Sequence, residues 1–155
     1  MAGRIDRRLD ELGLTLPAPF VSRANYIPYV RSGDLLFVAG QGPMRDGAPA
    51  SIGKVGGEID AQTAYEAARL TGLNLVAQAR HACDGDLDRV LRCVRLFGLI
   101  NAVPGFTALP QVMNGASDLM VVLFGEAGHH ARTTIGAVAL PHDMTIEIDG
   151  VFALG

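Results

Sequence analysis

The sequence predicts a two-layer α/β sandwich in which two helices cover one face of a mixed β-sheet. Two observations support this prediction. The elements follow one another as strands, helix, strand, helix and two strands, without a repeat at a solenoid period. The longest helical stretch, residues 61–83, carries a stripe made mostly of alanine, which allows close packing onto a sheet. We therefore interpret residues 1–155 as one domain, with a helix and linker at residues 1–20.

The N-terminal segment is expected to form a short helix over residues 3–12. Ile5, Leu9 and Leu12 recur there at the spacing of one helical face. The proline-containing stretch at residues 16–19 should be an extended linker that leads into the main fold.

A hairpin is predicted next, because two short β-like runs at residues 29–31 and 35–39 flank a turn sequence. The segment 44–57 is rich in Gly and Pro. It is expected to be a loop with one brief strand near residues 53–55.

The central part of the chain alternates between helices and a strand. Asp60 is a suitable N-cap for the helix at 61–83, and residues 89–102 are apolar enough for a long, well-buried strand. A second helix is predicted over 109–126. The sequence Asn-Gly-Ala-Ser at 114–117 interrupts its apolar pattern and predicts a start or bend there.

Two strands are predicted at the C-terminal end, at residues 132–140 and 144–154, separated by a turn at 141–143. The second run alternates between two faces. Its apolar face comprises Met144, Ile146 and Ile148, and its polar face comprises Thr145, Glu147 and Asp149.

Composition excludes several classes of protein. The net charge of −3 and the lack of a basic surface argue against a nucleic-acid partner. No apolar run is long enough to cross a bilayer, and the charged N-terminal stretch does not resemble a signal peptide, so we expect a cytoplasmic protein without a membrane partner. Cys83 and Cys93 lack metal-ligand spacing and are interpreted as small buried hydrophobic residues.

No standard catalytic or cofactor motif is present. The sequence lacks a dinucleotide fingerprint, a P-loop, a zinc-protease motif and a nucleophile elbow. The only close histidine pair, His129 and His130, is adjacent in sequence, and such neighbours point apart. We therefore expect no metal and no cofactor. On chemistry alone, Arg132 and Glu147 each have an ordinary structural explanation as polar residues of strands.

The segment 131–150 resembles the C-terminal signature of the YjgF/Rid family, which runs from Arg-Ser/Thr through Leu-Pro and a turn to an alternating strand containing Glu. Pro28-Tyr29-Val30 and Gly40-Gln41-Gly42-Pro43 are similar to two further family motifs. The resemblance covers about residues 25–154. The added N-terminal helix resembles a longer subgroup of that family.

This resemblance implies a chorismate-mutase-like fold and a homotrimer with a barrel-like core of sheets and ligand clefts between subunits. It also implies an imine or enamine deaminase of the reactive-intermediate type, acting on a small carboxylate substrate. Arg132 would hold the substrate carboxylate, and Glu147 would activate water. The remaining implied substrate-binding residues are Tyr29, Gly40, Gln41 and Thr134. Three positions depart from the family pattern, namely Ala39, Gly42 and Thr134.

A geometric argument bears on how Arg132 and Glu147 could meet. If the last two strands formed a simple hairpin, the two residues would be offset by four positions, or about 13 Å at ~3.3 Å each. That span is long for one small ligand. Either the strands are not hairpin partners, or the two side chains meet across a subunit boundary.

Two other functions remain open. The first is a non-catalytic sensor of small carboxylates or 2-oxo acids, which would need Arg132 but not Glu147. The second is an endoribonuclease, a label often attached to the family, which the acidic charge disfavours. The chorismate-mutase reaction is also disfavoured, because a shared fold does not by itself carry an activity.

Overall fold

The computed structural model describes residues 3–22 and 24–155. Its helices and strands follow one another in the predicted order. They are α1 (Arg4–Glu11), β1 (Tyr29–Ser32), β2 (Leu35–Gln41), β3 (Met44–Arg45), β4 (Ala48–Pro49), α2 (Ala61–Ala82), β5 (Val90–Asn101), α3 (Leu109–Phe124), β6 (Ala131–Ala137) and β7 (Ile146–Leu154). Short 3-10 turns occupy Leu87–Arg89, Gly125–Gly128 and Pro141–Asp143.

Five strands form one mixed sheet in the order β1-β2-β7-β5-β6. β5 and β6 are parallel and are joined by α3, whereas the other neighbours are antiparallel. A parallel pair needs such a crossover, because its second strand must return to the same end of the sheet. β6 and β7 are therefore consecutive in sequence but are not hairpin partners, and β5 lies between them.

Helices α2 and α3 cover one face of the sheet, which confirms the predicted sandwich. Alternate residues of β7, including Ile146, Ile148 and Phe152, are fully buried on this face. The opposite face is uncovered in the protomer, and besides the Glu147 and Asp149 carboxylates it carries exposed apolar side chains such as Phe37 and Ile135, which keep 45% and 44% of their surface exposed. α1 is a third helix, which packs against α3 and the Leu87–Arg89 turn.

The predicted break in α3 is wrong, because the helix runs without interruption from Leu109 to Phe124. Gly115 has a packing role instead. A Cβ at this position would overlap the carbonyl oxygen of Tyr65 and lie 3.0 Å from the backbone nitrogen of Arg69. The glycine thus allows α3 to approach the backbone of α2. α2 itself begins as predicted, since the Asp60 side chain accepts a hydrogen bond of 2.7 Å from the backbone N–H of Thr63.

The loop after β2 differs from expectation. Its regular secondary structure is a small hairpin formed by β3 and β4. Val55 lies in the region predicted as a brief strand, but it makes only isolated bridges to Ile59 and Ala102. Lys54 holds this loop in place. Its ammonium donates to Asn101 Oδ1 at 2.7 Å and to the Val138 carbonyl at 2.6 Å.

The last two strands are shorter than predicted, and Thr145 is misassigned. It precedes β7, is completely buried, and shares a hydrogen bond of 2.8 Å with the Ser51 hydroxyl, so it does not lie on an exposed polar face. The interpretation of the cysteines is confirmed. Cys83 and Cys93 are both buried and free, and burial raises the pKa of both thiols, that of Cys93 to about 12.

Candidate functional site

Glu147 and Gly40 come together on the face of the sheet that the helices leave uncovered. The pairing of β2 with β7 is irregular between Val38 and Gln41, which places Gly40 beside the Glu147 side chain. A Cβ on Gly40 would overlap the Glu147 carboxylate. The absence of a side chain at Gly40 therefore leaves the space that this carboxylate occupies.

The Glu147 carboxylate is half-buried, while its neighbours Ile146 and Ile148 point into the core. Burial raises the pKa of Glu147, and the nearby negative charge of Asp149 raises it further. Burial also raises the pKa of Asp149, an effect that the positive charge of Arg95 opposes. A carboxylate with a raised pKa is a better proton acceptor near neutral pH, which suits general acid–base chemistry.

Gln41 points to the other side of β2 and is 4% exposed. Its side-chain amide donates to the carbonyl oxygens of Ala39 at 3.0 Å and Gly40 at 3.4 Å. These bonds hold the irregular turn of β2 that presents Gly40 to Glu147. In the protomer, Gln41 thus acts on the shape of the backbone.

Arg132 and Thr134 lie on β6, which is an edge strand, and they face the helices. Nη1 of Arg132 donates to Asn114 Oδ1 at 2.9 Å and to Ser117 Oγ at 3.0 Å, both on α3. Nη2 makes a longer contact of 3.4 Å with the Pro110 carbonyl. Within the described chain, the Thr134 hydroxyl is the one buried side-chain polar atom without a hydrogen-bond partner.

Arg132 and Glu147 do not meet within one protomer. Arg132 pairs with Leu96 of β5, and Glu147 pairs with Leu99 of the same strand. Two strand spacings across and three residues along separate their backbones by about 14 Å, from ~4.8 Å between strands and ~3.3 Å per residue. Their side chains also point to opposite faces. Of the two geometric alternatives for Arg132 and Glu147, the first therefore holds, because β6 and β7 are not hairpin partners.

Tyr29 lies on β1 at the far edge of the sheet from Arg132. Its hydroxyl shares a hydrogen bond of 2.7 Å with Nδ1 of His81, near the C-terminal end of α2. The two rings line a surface cavity of about 450 Å³, together with Arg80, Asp84 and part of the 16–19 linker. Four strand spacings separate Tyr29 from Arg132, so one protomer places the predicted site residues at two different edges.

Sequence reasoning missed the residues that surround Arg132. Ser117 Oγ lies 2.9 Å from Nε2 of His130, and Nδ1 of His130 lies 2.6 Å from the Gly128 carbonyl oxygen. With Asn114, these residues form a connected polar cluster between α3 and β6. The sequence did carry one signal for this cluster. Asn114 and Ser117 are polar residues three positions apart in an otherwise apolar helix, so they lie on one helix face.

Within residues 3–22 and 24–155, the structure shows no group of three His, Cys, Asp or Glu side chains arranged to hold a metal ion. In the same part of the chain, no helix is both long enough and apolar enough to cross a membrane.

Comparison with protein families identifies the fold. Residues 6–150 match the family described as "YjgF/chorismate mutase-like, putative endoribonuclease". The chain belongs to the YjgF family. Its YjgF-like fold, a mixed sheet with helices packed on one face, agrees with the fold expected from the sequence resemblance.

Three relatives of this YjgF-family chain cover nearly its whole length. Protein TCP17 of Trypanosoma cruzi is 40% identical over 99% of this chain and 96% of its own length. The crystal structure of Atu1372 from Agrobacterium tumefaciens, of unknown function, is 42% identical with a TM-score of 0.92, covering 97% of this chain and 92% of that one. A structure from Shewanella oneidensis described as a "putative endoribonuclease" is 33% identical with a TM-score of 0.93, covering 97% and 99%.

Proposed function

We propose that this YjgF-family chain hydrolyses small 2-imino acids, or the enamines from which they form, to 2-oxo acids and ammonia. The active site would lie between two protomers of a homotrimer. Arg132 of one protomer would bind the substrate carboxylate, and Glu147 of the next would activate water. The observation that carries this proposal is a half-buried carboxylate with a raised pKa, Glu147, on one face of the sheet, together with an arginine, Arg132, that α3 anchors on the opposite face.

The position of the strands favours an intersubunit site. β6 is an edge strand, and the sheet face that holds Glu147 is uncovered and carries exposed apolar side chains, including Phe37 and Ile135. Groups of exposed apolar side chains of this kind mark association surfaces. A second copy that covers this face with its β6 edge would bring its Arg132 toward Glu147. A cyclic trimer repeats that contact three times with closed symmetry.

Binding of the substrate follows from the shape of its carboxylate. A guanidinium offers a planar fork of N–H donors that matches the two oxygens of a carboxylate. Fixing the carboxylate also fixes the adjacent C=N carbon, which removes orientational freedom before reaction. Tyr29, Gly40 and Thr134 would complete the cleft, and Gln41 would act by holding the β2 backbone beside it. Of these, Gly40 provides space for the Glu147 carboxylate, and Thr134 carries a hydroxyl without a partner.

The chemical step needs one general base that later acts as an acid. Glu147 accepts a proton from water while the water oxygen bonds to the imine carbon, and it delivers this proton to the imine nitrogen, giving a tetrahedral amino alcohol. Glu147 then removes the proton of the new hydroxyl as the C=O bond forms and transfers it to the amino nitrogen, so the C–N bond breaks and ammonia and a 2-oxo acid leave. The raised pKa of Glu147 suits both transfers near neutral pH.

The direct test is ammonia release from 2-iminopropanoate generated in situ by an amino-acid oxidase. Wild type should accelerate release, whereas Arg132→Ala and Glu147→Gln should not. Glu66→Gln is the matched control, since it removes an exposed carboxylate from α2, on the other side of the sheet from Glu147. A folded wild-type oligomer without acceleration would contradict the proposal. So would full activity in Glu147→Gln, whereas an oligomer that binds pyruvate but accelerates nothing would favour the non-catalytic carboxylate sensor.

Mixing the two inactive variants tests the intersubunit site. In a closed ring assembled at random from equal amounts of Arg132→Ala and Glu147→Gln protomers, about a quarter of the interfaces combine both intact residues. We therefore expect co-refolded mixtures to recover about a quarter of wild-type activity, while each variant alone stays inactive. No recovery in well-mixed oligomers would place both residues within one protomer's site.

An endoribonuclease is the second candidate, because the family description itself names that activity. Phosphate contacts would make RNA binding fall steeply with salt concentration. A salt titration of binding to a single-stranded RNA, together with an RNA cleavage assay of wild type, would separate this activity from the deaminase.

A further inference from the structure

The cluster between α3 and β6 has hydrogen bonds whose directions can be assigned. The Gly128 carbonyl oxygen can only accept, so Nδ1 of His130 carries the hydrogen in their 2.6 Å contact. In a neutral imidazole, Nε2 then has a free lone pair, and the hydroxyl of Ser117 donates to it at 2.9 Å. Ser117 Oγ in turn accepts a hydrogen bond from Nη1 of Arg132 at 3.0 Å.

The surroundings favour the neutral form of His130 that this arrangement requires. Burial of the ring lowers the pKa of His130, and the positive charge of Arg132 and the proximity of His129 lower it further. The hydrogen bond to Gly128 acts in the opposite direction. A protonated ring would direct an N–H toward Ser117 Oγ, which already accepts from a guanidinium, and the serine hydroxyl would lose its acceptor.

These hydrogen bonds fix the Nη1 group of the Arg132 guanidinium. Both hydrogens of Nη1 are used, since Asn114 Oδ1 accepts the second at 2.9 Å. Among the described residues, none accepts a hydrogen bond from Nε, and the contact of Nη2 with Pro110 is long and exposed. The Nε–Nη2 edge, which has the spacing of a carboxylate, therefore remains available for a ligand.

We propose that Ser117 and His130 are positioning residues that lock the Arg132 guanidinium in one orientation, so that its Nε–Nη2 edge is a preformed receptor for a planar carboxylate. The proposal rests on the proposed function only for the identity of the ligand. Locking reduces the rotational freedom that a ligand would otherwise have to remove on binding. Loss of this lock should weaken carboxylate binding about three- to tenfold.

Guanidinium NMR tests the lock without reference to catalysis. In the intact trimeric or other native assembly, slow rotation about the Arg132 Nε–Cζ bond should give separate Nη1 and Nη2 resonances. Ser117→Ala should average them, and Ser117→Thr should retain them by restoring a hydroxyl. Asp118→Ala is the matched control, because Asp118 is the next residue of α3 and bonds Tyr65 instead. It should leave the resonances separate.

The same variants are then titrated with pyruvate and assayed for turnover. We expect Ser117→Ala to raise the pyruvate Kd and the substrate KM about three- to tenfold, with kcat changed much less. Averaged resonances in wild type, or separate resonances in Ser117→Ala, would overturn the lock whatever the activity. A third outcome is that the Nη1 and Nη2 resonances are separate in wild type and averaged in Ser117→Ala, but the protein hydrolyses no imine. This outcome would support the lock and contradict only the deaminase proposal.

Discussion

Replacing Gly115 with alanine tests how closely α3 approaches α2. The added Cβ would overlap the Tyr65 carbonyl oxygen and lie 3.0 Å from the Arg69 nitrogen. Both atoms belong to the α2 backbone, so no side-chain rotation relieves the overlap. The helices must instead move apart by roughly 1 Å, which sacrifices a large part of their dispersion contacts.

The expected cost follows from two opposing terms. Overpacking of a tight interface costs about 3 kcal/mol at the upper end of its usual range. Alanine recovers about 1 kcal/mol, because it is a better helix former than glycine. Gly115→Ala should therefore lower the free energy of unfolding by about 2 kcal/mol. Urea titration at fixed protein concentration measures this change, since association would otherwise alter the midpoint.

Gly72 provides a matched control at the same interface. It lies within α2, and an added Cβ would meet the Cδ2 atom of Leu119 at 2.9 Å. That atom is the end of a flexible side chain, so it can move at little cost. Gly72→Ala should change stability by less than about 1 kcal/mol. If Gly115→Ala were as stable as wild type, or no less stable than Gly72→Ala, the contact between Gly115 and the α2 backbone would not limit how closely the two helices pack.

Three further predictions concern the site and its support. Gly40→Ala should displace the Glu147 carboxylate and abolish the proposed imine hydrolysis. It should shift the urea midpoint little, because the added Cβ overlaps a movable side chain, and an active variant would contradict this prediction. As the proposed base, Glu147 must be ionised, and its raised pKa should place the acidic limb of the kcat/KM–pH profile above the usual range of a glutamic acid, with activity lost as pH falls through it. A limb near pH 4 would refute the role. Asn101→Leu should cost about 3 kcal/mol in urea unfolding, because it leaves the Lys54 ammonium and the Asp143 carboxylate without this partner.

Local patterns were sufficient to predict most elements of the fold. The alanine stripe identified α2, and strict alternation identified β7. The interruption at 114–117 was misread because glycine both breaks helices and permits close helix contacts. Only the position of the Tyr65 carbonyl distinguishes these roles, and that position depends on tertiary packing. Thr145 was misassigned for a related reason, since its partner Ser51 lies 94 residues away in sequence.

The candidate site was less predictable than the fold. Arg132 and Glu147 were selected through a family resemblance, since each also fits an ordinary strand. The order strand-helix-strand over β5, α3 and β6 does favour a parallel pair. It does not determine the position of β7, which could have paired with the free edge of β6 but pairs with β5. The link from Ser117 to His130 has no such local signature, because it joins a helix to the residue before an edge strand.

Lys54 is the only lysine in the sequence, and its ammonium is held by Asn101 and the Val138 carbonyl. Apart from the chain's own α-amine, it is therefore the one site where amine-reactive reagents can act. Acylation replaces the ammonium with an uncharged amide that keeps only one N–H, so it cannot retain both hydrogen bonds, and we expect the 51–57 loop to open before the nitrogen reacts. The rate at which a mild acylating reagent modifies Lys54 would thus report how often this loop detaches from the end of β5.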